Sequence, residues 1–224
     1  MSALADRIRA DLVDRRDPVR AEGAAAYMKV TARGALRFLG VRRPDVRRIV
    51  KAAAAQAPGD DARLEAVREL WDHAAYAEER YAAQDLLALR WARDRLELLD
   101  LHEHMARTCS WWDLVDEVAH RVGDLTISHP DEMAPVLRAW SRDPSMWLRR
   151  LAILGQLRRR DAVDLDLLAD VIEPNLADPE FFVRKAIGWA LRDVARYHPA
   201  WVRTFLATHD LSPLSRREAL KHLG

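Results

Sequence analysis

Trp147-Leu-Arg-Arg-Leu-Ala-Ile153 recurs in frame as Phe182-Val-Arg-Lys-Ala-Ile-Gly188 and as Leu214-Ser-Arg-Arg-Glu-Ala-Leu220. Each copy carries a basic pair (Arg149-Arg150, Arg184-Lys185, Arg216-Arg217) among apolar residues at helical spacing, so each opens a helix. The first basic residues of the pairs lie 35 and 32 positions apart, and Glu79-Arg-Tyr-Ala-Ala-Gln84 is a weaker fourth copy. A period in the thirties leaves room for two short helices per unit. Such a pair buries its apolar side only by stacking on its neighbours, which is the α-solenoid solution. The frame therefore predicts an all-α chain: a single curved superhelix running over residues 1–224 as one domain, with the second helix of each pair on the concave side.

Outward from these copies, almost every stretch reads as helix, rich in alanine, leucine, arginine and glutamate and without β alternation. Helices are expected at 2–15, 18–29, 44–57, 61–74, 76–92, 95–108, 111–127, 131–141, 145–160, 165–177, 180–197, 199–208 and 213–222. Proline marks the breaks. Asp17-Pro18, Pro44, Pro58-Gly59, Pro130, Pro144, Pro179, Pro199 and Pro213 fall at or near helix starts, where the missing N–H costs nothing. Thr31 to Arg43, with Gly34 and Gly40, is expected to be a loop.

The 224 residues are 50% hydrophobic and 32% charged, too apolar for a disordered chain and too charged for a membrane bundle. No apolar run approaches the roughly 18 residues of a membrane helix. The start, Met1-Ser-Ala-Leu-Ala-Asp-Arg7, has charges where a signal peptide has its apolar core, so a soluble, cytoplasmic protein is expected. The single cysteine, Cys109, excludes an internal disulfide and a cysteine-based metal site. The formal charge of +1 is unevenly spread: +7 over residues 1–57, −7 over 58–116, −2 over 117–141 and +3 over 142–224. Lysine occurs only at Lys29, Lys51, Lys185 and Lys221; the other cations are arginines, whose forked donors suit phosphate.

Two helical segments carry residues that packing does not explain. In Ser110-Trp-Trp-Asp-Leu-Val-Asp-Glu-Val-Ala119, Ser110 and Asp113 form a capping pattern that starts a helix. Trp111, Val115, Val118 and Val122 make one apolar stripe, which assigns Trp111 to the core. Trp112 is rotated off that stripe and shares a face with Asp116, four residues on. In the segment from Phe181 to Tyr197, Val183, Ala186, Ile187, Ala190, Leu191 and Val194 form the stripe. Trp189 stands off it, among Lys185, Arg192 and Arg196. Two readings stay open at that point: an indole covering arginine stems at a helix contact, or an aromatic surface beside phosphate-binding charge. Asp113 reads as a helix cap. Trp71, Trp91, Trp140 and Trp201 read as packing, and Glu65 to Asp72 as a solvated acidic face. His102 and His104, two apart, fall on different sides of a helix and do not suit a metal site. Nothing corresponds to a phosphate-binding glycine loop, an iron–sulfur cluster or a Ser/His/Asp arrangement.

Ser110-Trp-Trp-Asp-x-Val-Asp116, Trp147-Leu-x-Arg-x-Ala-Ile-Leu154, Phe181-Phe-x-x-Lys-Ala-Ile-Gly-Trp189-x-Leu-Arg192 and Pro213-Leu-Ser-x-Arg-Glu-Ala-x-Lys-His222 together resemble the DNA alkylation repair glycosylases of the AlkD family, built of HEAT-like repeats. Ala26-Tyr27-Met-Lys29 and Phe38-Leu-Gly-x-x-x-Pro44-x-x-Arg47-Arg48 extend the resemblance over nearly the whole chain. It implies a curved helical protein that cradles duplex DNA in a basic groove. It implies hydrolysis of the N-glycosidic bond of cationic alkylated purines, such as 3-methyladenine, 7-methylguanine and bulkier N3 or N7 adducts, without flipping the base. A monomer needing no cofactor, metal or membrane is implied as well. Position by position, the family's central carboxylate falls on Asp116, its two indoles on Trp112 and Trp189, and its groove arginine on Arg150. Tyr27, Lys29, Arg47, Lys185 and Arg192 transfer as DNA contacts. The chain ends at Gly224, directly after the last motif, so contacts from the short tail of some family members are not expected here. The competing class is a helical-repeat scaffold that binds DNA or protein and does no chemistry.

Overall fold

The computed structural model describes residues 2–28, 36–109 and 111–223; Lys29, Ser110 and the first part of the expected 31–43 loop lie outside them. Thirteen α-helices and no strand occur among the described residues, so the chain is all-α and of the helical-repeat class. Contacts divide the chain into two compact units, Met1–Arg93 and Asp94–Gly224.

The first unit holds α1 (Ala3–Asp14), α2 (Pro18–Met28), α3 (Arg43–Ala54), α4 (Asp60–Asp72) and α5 (Ala77–Leu87). α3 packs against α1 and α5, and α4 against the same two helices. Apolar residues at helical spacing supply the core: Ile8 and Leu12, Val46 and Val50, Val67, Leu70 and Trp71 are buried. Each such side chain contributes roughly 1.5–3 kcal/mol of transfer free energy. The residues before α3 are tied down by a buried carboxylate. Glu78 accepts the N–H groups of Leu39 (2.9 Å), Gly40 (2.8 Å) and Val41 (3.2 Å). Gly40 has φ +84°, and a Cβ there would strike the Asp17 carbonyl, so only glycine fits this turn.

The second unit holds α6 (Leu99–Thr108), α7 (Trp112–Ser128), α8 (Pro130–Trp140), α9 (Met146–Leu154), α10 (Leu165–Ile172), α11 (Phe181–Val194), α12 (Pro199–Thr208) and α13 (Pro213–Ala219). α7, α9, α11 and α13 form one row, each packed on the next, and α6, α8, α10 and α12 lie behind them. Two helix starts in this unit carry a side-chain cap: Asp164 accepts Leu167 N–H (2.9 Å) before α10, and Ser212 accepts Ser215 N–H (3.1 Å) before α13. Three expected helices end five or six residues early. The one over 145–160 stops at Leu154 and closes on Gly155; beyond it Arg158 and Arg160 take φ +65° and +57°, which interrupts a right-handed helix. The one over 165–177 stops at Ile172, where Pro174 turns the chain into a 3₁₀ segment, Glu173–Asn175. The one over 76–92 stops at Leu87, followed by a 3₁₀ turn, Arg90–Ala92.

Candidate active site

The row α7–α9–α11 brings side chains from the same register together. Asp116, Arg150 and Lys185 are each the fifth residue of their helix, so stacking the helices side by side aligns them. Arg150 donates through Nε to Asp116 Oδ1 (2.8 Å) and through Nη2 to Oδ2 (2.9 Å), a two-pronged pairing. Its Nη1 donates to the Phe182 carbonyl at 2.6 Å. The Arg150 side chain is only 4% exposed and that of Asp116 13%, so the carboxylate is the part of the pair that reaches the surface.

That surface is a cleft of about 270 Å³ lined by Trp112 and Asp116 from α7, Arg150 from α9, and Phe181, Phe182, Lys185, Trp189 and Arg192 from α11. Trp112 and Trp189 are half-buried and line the same cleft as the carboxylate. Below them Phe182 is locked in an aromatic cluster, with centroids 5.5 Å from Trp111, 5.3 Å from Trp147 and 5.3 Å from Phe181. Such ring pairs hold the wall rigid at about 0.5–1.5 kcal/mol each beyond burial.

The cations of the cleft are held from α13. Glu218, 5% exposed, binds Arg192 Nη1 (2.6 Å), Lys185 Nζ (2.8 Å) and Lys221 Nζ (2.8 Å). Hydrogen bonds from Lys185 and Lys221 bring its carboxyl down to about 2. α11 and α13 approach this closely because Gly188 has no side chain: a Cβ there would lie 2.5 Å from Glu218 Cβ and 2.8 Å from the Ser215 carbonyl oxygen.

Six of the residues singled out in the sequence, Trp112, Asp116, Arg150, Lys185, Trp189 and Arg192, thus line one cleft. Tyr27 and Arg47 belong to the Met1–Arg93 unit; Tyr27 is 75% exposed on α2, and Arg47 on α3 pairs with Asp85 at 3.5 Å. Lys29 and Ser110 lie outside the described residues. One expectation needs correcting. Trp111, assigned to the core by periodicity, is half-buried and occupies the N-cap position of α7, because the helix proper begins at Trp112 and the stripe's first position is already outside it. Sequence reasoning passed over Phe181, Phe182 and Glu218. Glu218 left a signal: it is the one acid in the three strong copies of the repeat frame. No group of three or more potential metal-binding side chains occurs among the described residues. A fixed carboxylate that shares a cleft with two indoles and several cations is suited to stabilise a positive charge that develops on a group whose neighbours are anionic.

A family model described as DNA alkylation repair enzyme matches residues 8–223. Among solved structures the chain is similar to a predicted DNA alkylation repair enzyme from Enterococcus faecalis, at 29% identity and a TM-score of 0.83, over 93% of this chain and 97% of that one. It is similar in fold to AlkD2 from Streptococcus mutans, at 14% identity and a TM-score of 0.60, over 90% of this chain and 98% of that one. The Pseudomonas fluorescens alkylpurine DNA glycosylase AlkC, bound to DNA containing an abasic site analog, shares the fold at 19% identity and a TM-score of 0.58, over 98% of this chain and 61% of that one. No curated protein matches in sequence.

Proposed function

The chain belongs to the DNA alkylation repair enzyme family, and from that premise we propose that it is a glycosylase that hydrolyses the N-glycosidic bond of cationic alkylated purines in duplex DNA, 3-methyladenine and 7-methylguanine among them. The observation that carries the reading is the Asp116 carboxylate, fixed by the buried Arg150 fork in a cleft walled by Trp112 and Trp189. A purine alkylated at N3 or N7 already bears a positive charge. When its bond to C1′ breaks, both electrons go to the base, which leaves neutral and needs no proton. The positive charge passes to the sugar as an oxocarbenium ion. Water then adds to C1′ and gives up one proton.

Catalysis reduces to holding that sugar cation and admitting the water, and a preorganised carboxylate does the first electrostatically. Asp116 has that role, and it also orients the water. The indole faces of Trp112 and Trp189 hold the deoxyribose and add cation–π attraction of about 0.5–2 kcal/mol each. Lys185 and Arg192 contact the phosphates on either side. A site that senses charge at the sugar does not require the base edge, so the lesion is processed without being turned out of the helix, and neutral lesions such as hypoxanthine and uracil are poor substrates.

The test is release of free base from methylated duplex DNA by the wild type and by Asp116→Asn. Wild type is expected to free both bases; the variant, which keeps the shape and loses the charge, should be slower on 7-methylguanine by roughly 10²-fold or more. No release above background by wild type would leave only the non-catalytic scaffold.

A further inference from the structure

In the Met1–Arg93 unit, a second pocket of about 310 Å³ is bounded by Lys51, Ala54 and Ala55 at the end of α3, Arg63 on α4, and Leu89, Arg90 and Trp91 beyond α5. Three cations line it and no carboxylate does, although Arg63 and Arg90 come from the stretch of the chain, residues 58–116, that carries the −7 excess. Lys51 and Arg90 are exposed and make no ion pair or side-chain hydrogen bond among the described residues. Arg63 is held in place: Nη1 pairs with Asp60 (2.7 Å), Nη2 donates to the Ala54 carbonyl (3.2 Å), and the buried Nε has no hydrogen-bond partner. Trp91, read from sequence as packing, donates Nε1 to the Leu86 carbonyl (2.9 Å), which fixes its half-buried ring as one wall.

A helix C-terminus ordinarily repels anions, but here the terminal carbonyls are occupied. Those of Lys51, Ala53 and Ala54 accept the N–H groups of Ala55, Gln56 and Ala57, and the Arg63 guanidinium covers that of Ala54 as well. What the pocket offers is therefore net positive charge, two unpaired donor groups and a flat apolar wall. Phosphate joined to a sugar fits that description: the anion pairs with Lys51 and Arg90 and the sugar lies on Trp91. We infer that this pocket is a phosphate-binding site, taking either a phosphodiester of a DNA strand or the phosphate of a free nucleotide. The inference does not rest on base excision.

The full-length protein is titrated with inorganic phosphate at constant ionic strength, with chloride as control, while the Trp91 indole N–H and Arg90 Nε–H are followed by NMR. Saturable shifts with phosphate and none with chloride are expected, weakened at least fivefold in Lys51→Ala and in Arg90→Ala. Both side chains are exposed, so the variants should melt as the wild type does. In parallel, binding of an undamaged duplex is measured against salt. A slope of log K on log salt shallower by about 0.9 for each cation removed assigns the site to the DNA backbone. A saturable phosphate response with an unchanged slope assigns it to a free phosphate. Absence of both a phosphate response and a change in slope would overturn the inference. Because no damaged base is involved, failure of the glycosylase reading would leave both arms readable.

Discussion

Asp116 is set by a partner that cannot be replaced by charge alone. Lysine at 150 would keep a cation but could not occupy both carboxylate oxygens and the Phe182 carbonyl, as the guanidinium does. Arg150→Lys is therefore expected to fold with a lowered melting temperature and to release 7-methylguanine at least tenfold more slowly in single turnovers; an unchanged rate would show that the fork does not position the carboxylate. The pair was only half legible in the sequence. Asp116 and Trp112 stand off the α7 stripe and announce themselves. Arg150 shares its face with Ile153, Leu154 and Leu157, and the acid that makes its burial tolerable comes from another helix, which periodicity does not report. His102 is a second residue whose surroundings decide its behaviour. Burial, with the nearby Arg121 charge, pushes its imidazole down to about 4 from the ordinary 6.5. The folded protein keeps it neutral while the unfolded chain takes up a proton. Its contribution is complete above about pH 6.5 and is lost progressively as pH falls toward 4. Urea unfolding at pH 7.5 and pH 5 should show a loss of stability on acidification that is smaller in His102→Gln; an equal loss in both proteins would remove His102 from the account.

The repeat that decided the fold joins two jobs at adjacent positions. In three of the four copies the first basic residue ties its helix to the carbonyls just upstream: Arg80 to Trp71 (3.3 Å), Arg149 to Asp143 (2.8 Å) and Pro144 (2.9 Å), and Arg216 to Leu206 (2.7 Å); in the copy on α11, the buried Nε of Arg184 has no hydrogen-bond partner. In α9 and α11 the second, Arg150 and Lys185, faces the cleft. Helix geometry forces the division, because neighbours along an α-helix point about 100° apart. In sequence the pair looked like one basic feature, and the recurrence gave the stacking period without showing which member was structural. Arg149→Ala removes those two carbonyl bonds and a 2.8 Å pairing with the buried carboxylate of Asp178. It should cost about 1–3 kcal/mol of stability while base release per folded molecule stays within about twofold of wild type, as denaturant melts and single-turnover rates at low temperature would show. A drop in release as large as that of Arg150→Lys would mean that the two positions are not separable. Helix ends were the least legible part, since the early stops at Leu154 and Ile172 depend on left-handed arginines and on a proline inside an otherwise regular pattern.

For the molecule as a whole, the near-neutral total conceals a division between the two units. Met1–Arg93 carries 18 Lys+Arg against 14 Asp+Glu, a net +4, and Asp94–Gly224 carries 18 against 21, a net −3. The cleft thus sits in the unit whose overall charge opposes DNA, and within that cleft the charges are largely committed: Arg150 to Asp116, and Lys185 and Arg192 to Glu218. In the other unit, the exposed Lys51 and Arg90 make no ion pair among the described residues. Surface charges interact with phosphate through solvent and are screened within about 8–10 Å at moderate salt, whereas a buried pair is screened far less. The two kinds of charge should separate in kinetics. Raising salt from about 50 to 200 mM is expected to lower the apparent affinity for alkylated duplex by several powers of ten if six or more phosphates are contacted. Single-turnover release with protein in saturating excess should change by less than about threefold over the same range. If the saturated rate fell in step with affinity, the chemistry would depend on solvent-exposed charge, and the role given to the sheltered Asp116–Arg150 pair would have to pass to other groups.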